Sequence, residues 1–125
     1  MNSALPAMPA PVEPAKPERW HVDAGDADVA TLVIPADSLR TRHFEIDCRL
    51  VVAAIATGAQ HGMRVDVDGG LEWTRRAPTE NPGQTDSVDY HFRRDLPPGK
   101  PLRIVVKTQA RGARRVRLVI EAEES

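Results

Sequence analysis

Six side chains carry the groups that could hold an anionic or sugar ligand: Trp73, Arg75, Arg76, Asn81, Arg115 and Arg117. Guanidinium forks match phosphate, sulfate or carboxylate oxygens, an indole plane packs on a sugar ring, and a side-chain amide both donates and accepts. Trp73, Arg75 and Arg76 lead into the polar stretch 78–86 (Pro-Thr-Glu-Asn-Pro-Gly-Gln-Thr-Asp), the longest irregular segment of the body, where binding residues tend to sit on a rigid scaffold. Arg111 and Arg114 stand beside Arg115 and Arg117, which alternation places on one face as a compact cationic patch. Aromatic platforms for nucleic-acid bases are scarce: of five aromatics, Phe44, Tyr90 and Phe92 fall on predicted inward faces, so nucleic acid would rest on salt-sensitive phosphate contacts.

A second constellation is His43, Glu45 and Asp47, three potential metal ligands on one side of a strand, with His91 and Asp89 able to join from another. Successive same-face side chains splay, so convergence on one ion at ~2.0–2.3 Å needs at least two cooperating strands. Glu45/Asp47 and Asp66/Asp68 also have a spacing that carboxylate chemistry uses, but each alternates with arginine, as cross-strand ion pairs on a wet face do. Ser87, Asp89 and His91 share a face at ~6.5–7 Å intervals, too far apart for a direct proton relay, and no nucleophile elbow accompanies them. Cys48 and His43 point to opposite faces, so Cys48 reads as a small buried hydrophobe rather than a nucleophile. The acidic turns Asp23-Ala-Gly-Asp26-Ala-Asp28 and Asp66-Val-Asp68-Gly complete no calcium loop, and no phosphate-binding glycine motif is present. No cofactor is expected.

A chain of 125 residues at 41% hydrophobic and 28% charged supports one modest core. One cysteine excludes an internal disulfide. Fourteen arginines against three lysines fit a GC-rich bacterial genome. Residues 1–17 are a Pro/Ala-rich tail expected to be disordered, with Pro-x-x-Pro spacings but neither the basic nor the apolar region of a secretion signal. The expected location is therefore cytoplasmic, away from any membrane. Charge is segregated along the chain: residues 40–117 hold fifteen Lys and Arg against nine Asp and Glu, between acidic ends. Such a segment could mark an anion-binding face.

These groups must be positioned by strands. Apolar residues recur at every second place in Phe44–Leu50, Met63–Val67, Val88–Phe92, Leu102–Val106 and Val116–Ile120. Weaker candidates are 19–23, 28–34 and 71–75. The run Val51–Ala56 is apolar throughout, which calls for two covered faces or a bulge. Asp68-Gly69-Gly70 signals a tight hairpin, and Pro97-Pro98-Gly99 and Ala110-Arg111-Gly112 bound the later strands. The stretch Phe92–Val106, with its Leu-Pro-Pro-Gly turn, resembles a hairpin of transthyretin-like and bacterial immunoglobulin-like sandwiches. The resemblance implies a sandwich fold and carries across no functional residues.

The predicted architecture is all-β: a two-layer antiparallel sandwich of about seven to eight strands over residues 18–125, immunoglobulin-like or jelly-roll. The expected role is a non-enzymatic binding or interaction module that meets another protein through its loops or a sheet edge. The alternatives are a polyanion- or carbohydrate-binding domain using Trp73, Arg75, Arg76 and the 78–86 loop, and a metal-dependent enzyme using His43, Glu45, Asp47 and His91.

Overall fold

The computed structural model describes residues 16–80 and 82–125, so the proline-rich leader up to residue 15 and Asn81 lie outside the described residues. Eight strands follow one another: β1 (Arg19–Asp23), β2 (Val29–Ile34), β3 (Arg42–Ala54), β4 (Gln60–Val67), β5 (Gly70–Pro78), β6 (Thr85–Leu96), β7 (Leu102–Arg111) and β8 (Ala113–Glu124). They form two four-stranded antiparallel sheets, a first in the order β1-β8-β3-β6 and a second in the order β2-β7-β4-β5. The pairs β1·β8, β2·β7, β3·β6 and β4·β5 are what one long hairpin produces when it rolls up on itself. This is the jelly-roll chain path and not the immunoglobulin-like one.

The sheets stack because each strand buries alternate residues. From β3 come Phe44, Ile46, Cys48, Leu50 and Val52, and from β8 Leu118, Ile120 and Ala122. Leu32, Ile34, Met63, Val65, Ile104 and Val106 meet them from the second sheet. Each fully buried Leu or Ile contributes about 1.5–3 kcal/mol relative to leaving it in water. Polar partners on the same strands are left on the two outer faces.

Among the described residues only one connection joins hydrogen-bonded neighbours, the β4–β5 hairpin. Its Asp68 and Gly69 have φ of 50° and 83°, the double positive φ of a type I′ turn. The Leu-Pro-Pro-Gly turn does something different from the hairpin it resembles. Lys100 N–H donates to the Pro97 carbonyl and Gly99 has a φ of 79°, but β6 belongs to the first sheet and β7 to the second. The turn is a corner between layers.

Two bulges re-aim side chains. On β8, Arg117 lies opposite Val51 and Arg115 opposite Val52, which leaves Val116 as the extra residue. Val116 is therefore half-buried rather than core, and Arg115 and Arg117 fall on opposite faces, not on one. The irregularity expected from the Val51–Ala56 run sits at this level, but the inserted residue belongs to the partner strand; Ile55 and Ala56 leave the sheet and are exposed. On β5, Val65 faces Trp73 while Asp66 faces Leu71, so Glu72 is the inserted residue.

Candidate functional site

On the outer face of the second sheet, β7 presents Arg103, Lys107, Gln109 and Arg111, and β4 presents Gly62 and Arg64. Arg76 comes from β5, directly opposite Gly62. Lys107 lies directly opposite Arg64, a like-charge cross-strand pair of the kind that destabilises a sheet. Arg64 is offset in part by Asp66, 3.0 Å away. Among the described residues, Arg76, Arg103, Lys107 and Arg111 have no ion-pair partner. An open groove of about 360 Å³ runs over Gly62, Arg64, Thr74, Arg76, Lys107 and Gln109. Past Arg76 and Gln109 it meets a second hollow of about 240 Å³ that reaches Arg111 and the edge of His61. Gly62 keeps the groove floor low, because a Cβ there would stand 3.2 Å from both the Arg75 carbonyl oxygen and Arg76 Cγ.

The outer face of the first sheet is just as charged, and its β3–β6 ladder is internally matched, although Glu45 and Asp47 also stand opposite Glu123 and Glu121 of β8. Four consecutive cross-strand positions pair His43 with Asp95, Glu45 with Arg93, Asp47 with His91 and Arg49 with Asp89. Their closest separations are 2.6, 2.9, 4.0 and 3.4 Å. Arg19–Glu123 at 2.5 Å, His21–Glu121 at 3.9 Å and Arg117–Asp23 at 3.0 Å extend the ladder over β1 and β8. His43, Glu45, Asp47 and His91 thus share a face, yet each turns to its own neighbour. Among the described residues no three His, Cys, Asp or Glu side chains gather as a metal would need. The carboxyl of Asp47 is pushed up mainly by partial burial and then by Asp89 and Glu121, with His91 opposing.

The remaining chemical candidates are absorbed by structure. Ser87 N–H donates to Asp86 and Asp89 pairs with Arg49, so Ser87, Asp89 and His91 form no relay. Asp66 holds Arg64, and Asp68 accepts the Arg103 N–H at 2.9 Å. Asp23 accepts the Gly25 N–H, which, ahead of the nearby Arg117, holds its carboxyl below the usual range. Cys48 is fully buried, and burial pushes its thiol up to about 12, with the charge of Asp47 adding to the effect.

Of the six ligand-binding residues expected from the sequence, the basic face holds one, Arg76. Trp73 turns inward and stacks on Tyr90 with ring centroids 4.7 Å apart and planes at 11°, and Tyr90 stacks in turn on Phe92. The bulged Glu72 accepts the Tyr90 hydroxyl at 3.0 Å and pairs with Arg94, sealing this side of the sandwich. Arg75 borders the same groove and also lines a separate hollow with Glu80, Asp86 and Asp89. Arg115 donates to Thr108 Oγ1 and its carbonyl, and Arg117 pairs with Asp23 on the first sheet. Asn81 lies outside the described residues. The sequence reading missed Arg64, Arg103 and Lys107. Alternation within β4 and β7 turns them outward, but nothing in the sequence joins those two strands.

No protein-family model and no curated protein sequence matches the chain. Among solved structures, dimeric latent PorU from Porphyromonas gingivalis is similar at a TM-score of 0.51 and 9% identity, covering 85% of this chain and 11% of that one. The mosquito-larvicidal Cry4Aa toxin from Bacillus thuringiensis is similar at 0.52 and 11%, covering 81% and 18%. The VP2 subviral particle of infectious bursal disease virus gives 0.48 and 13%, covering 95% and 36%. The chain thus spans under a fifth of the first two proteins. The likeness to those two is one of fold alone.

Proposed function

We propose that this protein is a non-enzymatic binding module that lays a polyanion across the outer face of its second sheet. One observation carries the reading: Lys107 stands opposite Arg64 on a face that also carries Arg76, Arg103 and Arg111, and among the described residues Arg64 alone of these five cations has an ion-pair partner. Repelling charges cost stability, and an external anion is what offsets that cost. The exposed groove holds no aromatic plane, so the ligand is gripped by its phosphates, sulfates or carboxylates rather than by rings. This favours a polyanion over a sugar, and with Trp73 covered by Tyr90 the carbohydrate alternative loses its platform.

Affinity chromatography on heparin and fluorescence anisotropy with a labelled single-stranded oligonucleotide test the proposal. Binding should weaken steeply with salt, log K falling against log[salt] with a slope of roughly −0.7 per phosphate neutralised. The double variant Arg76→Glu/Arg111→Glu should lose about a hundredfold or more in affinity, by analogy with charged contacts at about 1.5–3 kcal/mol each. Arg49→Glu/Arg93→Glu, on the matched face, serves as the control. Equal losses in both variants, or no retention of the parent chain, would reject the basic face as the site.

A further inference from the structure

Among the described residues the sandwich has four edge strands, β1, β2, β5 and β6, and they are not equivalent. β1 and β2 are five and six residues long. β5 is interrupted by the Glu72 bulge and ends in Pro78. Short length, bulges, proline and inward-pointing charges are how proteins keep edges from pairing. β6 is long, without bulge or proline, and its two inward charges, Asp86 and Arg94, are opposite in sign. It runs for 12 residues without glycine or proline and meets β3 in one unbroken register from Thr85 to Leu96.

The ladder also tells which groups of β6 are free. Ser87 N–H donates to the Asp86 side chain instead of to β3, and the His43 carbonyl of β3 accepts from Ser125 on the β8 side. In an antiparallel ladder the N–H and C=O of one residue point the same way and alternate along the strand. Asp89, His91, Arg93 and Asp95 therefore hold their backbone groups out from the free edge.

We propose that two copies of this chain pair β6 to β6, antiparallel about a twofold axis at Tyr90, to make one continuous eight-stranded sheet. In this register each outward residue meets a compatible partner: Asp89 faces the partner's His91, Ser87 the partner's Arg93, and Thr85 the partner's Asp95. On the inward side Val88 faces the partner's Phe92, Tyr90 meets its own copy, and Asp86 lies opposite the partner's Arg94. No like charges oppose one another. Moving the axis one residue either way spoils this, setting Val88 against Arg94 and His91 against His91, or Asp89 against Asp89 and Asp86 against Phe92. Such an isologous contact closes as a dimer and leaves no β6 edge for further addition. The axis is perpendicular to the sheets, so both basic faces look the same way. The pairing itself needs no anionic ligand and stands apart from the proposed function.

Sedimentation velocity over a concentration series, without ligand, should show a monomer passing to a dimer. His91→Pro removes an N–H that faces away from β3, so the β3–β6 ladder survives while the dimer contact is lost. That variant should melt cooperatively and associate about tenfold or more weakly than His91→Ala. Amide exchange on the parent chain is the second readout: the Asp89, His91 and Arg93 amides should gain protection with concentration, while the β1, β2 and β5 edges should not. A parent chain monomeric at every concentration, a His91→Pro variant that dimerises like His91→Ala, or protection at those three amides that ignores concentration would each overturn the pairing.

Discussion

The two outer faces of this sandwich are made from the same residue types by the same alternation, and they treat charge in opposite ways. On the first sheet, four consecutive β3–β6 positions match acid with base. On the second, Lys107 faces Arg64, Arg76 faces Gly62 and Arg111 faces Gln60. A matched exposed ladder gains little, about 0–1 kcal/mol per pair, and presents small fields to solvent. An unmatched face gives up stability and presents a strong field. The contrast separates a surface that only decorates the fold from one that is available to a ligand.

Both faces hang on one core, so the largest effect comes from breaking that core. Leu118→Asp should unfold the domain, because an unpaired charge would replace a fully buried leucine at a cost above about 4 kcal/mol, comparable with total stability. Val116→Asp, two residues away at the bulge, should stay folded and lose about 1 kcal/mol or less. Circular dichroism melts of the two variants decide the matter. If Val116→Asp also fails to fold, then β8 has no bulge there and Arg115 and Arg117 share a face after all.

That pair of variants shows where the sequence was legible and where it was not. Alternation correctly turned Phe44, Ile46, Cys48, Leu50, Leu118 and Ile120 inward, because one dry side imposes period two on any strand. Asp68-Gly69 was readable as a type I′ turn because few residues tolerate its dihedrals. Facing beyond a bulge was not readable, since one inserted residue flips everything after it, and this scattered Arg115 and Arg117. Pairing was not readable either: Arg64 and Lys107 are distant in sequence, and their opposition depends on a topology that alternation does not encode. Trp73 was not legible: the Glu72 bulge turns it inward while Leu71 stays exposed, and its stacking on Tyr90 joins two strands of different sheets.

A smaller effect follows from the unmatched pair. Lys107→Glu should raise stability by about 0.5–1 kcal/mol, roughly 3–5 °C in a domain this size, because it converts a repulsive cross-strand pair into an attractive one. The same change should weaken heparin and oligonucleotide binding. A charge reversal that stabilises the fold while it damages binding is the signature of a face kept unmatched for use. Thermal melts paired with anisotropy test this, and a variant that loses stability would mean that Lys107 and Arg64 do not repel as their register requires.

The smallest effect concerns Asp47, which stands opposite Glu121 of β8 as Glu45 stands opposite Glu123. Asp47 is held above its ordinary pKa by partial burial first and by Asp89 and Glu121 second, only partly countered by His91. A raised carboxyl means the folded chain binds this proton more tightly than the unfolded chain does. Its contribution to stability is thus present at low pH and is lost as pH rises through about 4 and above. Asp47→Asn removes the charge, so at pH 7 it should melt about 1–2 °C higher than the parent, a modest gain because the carboxylate is 47% exposed and water screens it. Near pH 3 the parent side chain is already neutral in both states, and the two melting curves should coincide. A gain that persists at pH 3 would trace to packing rather than charge, and a loss at pH 7 would mean that the Asp47–His91 pair outweighs the crowding of Asp89 and Glu121.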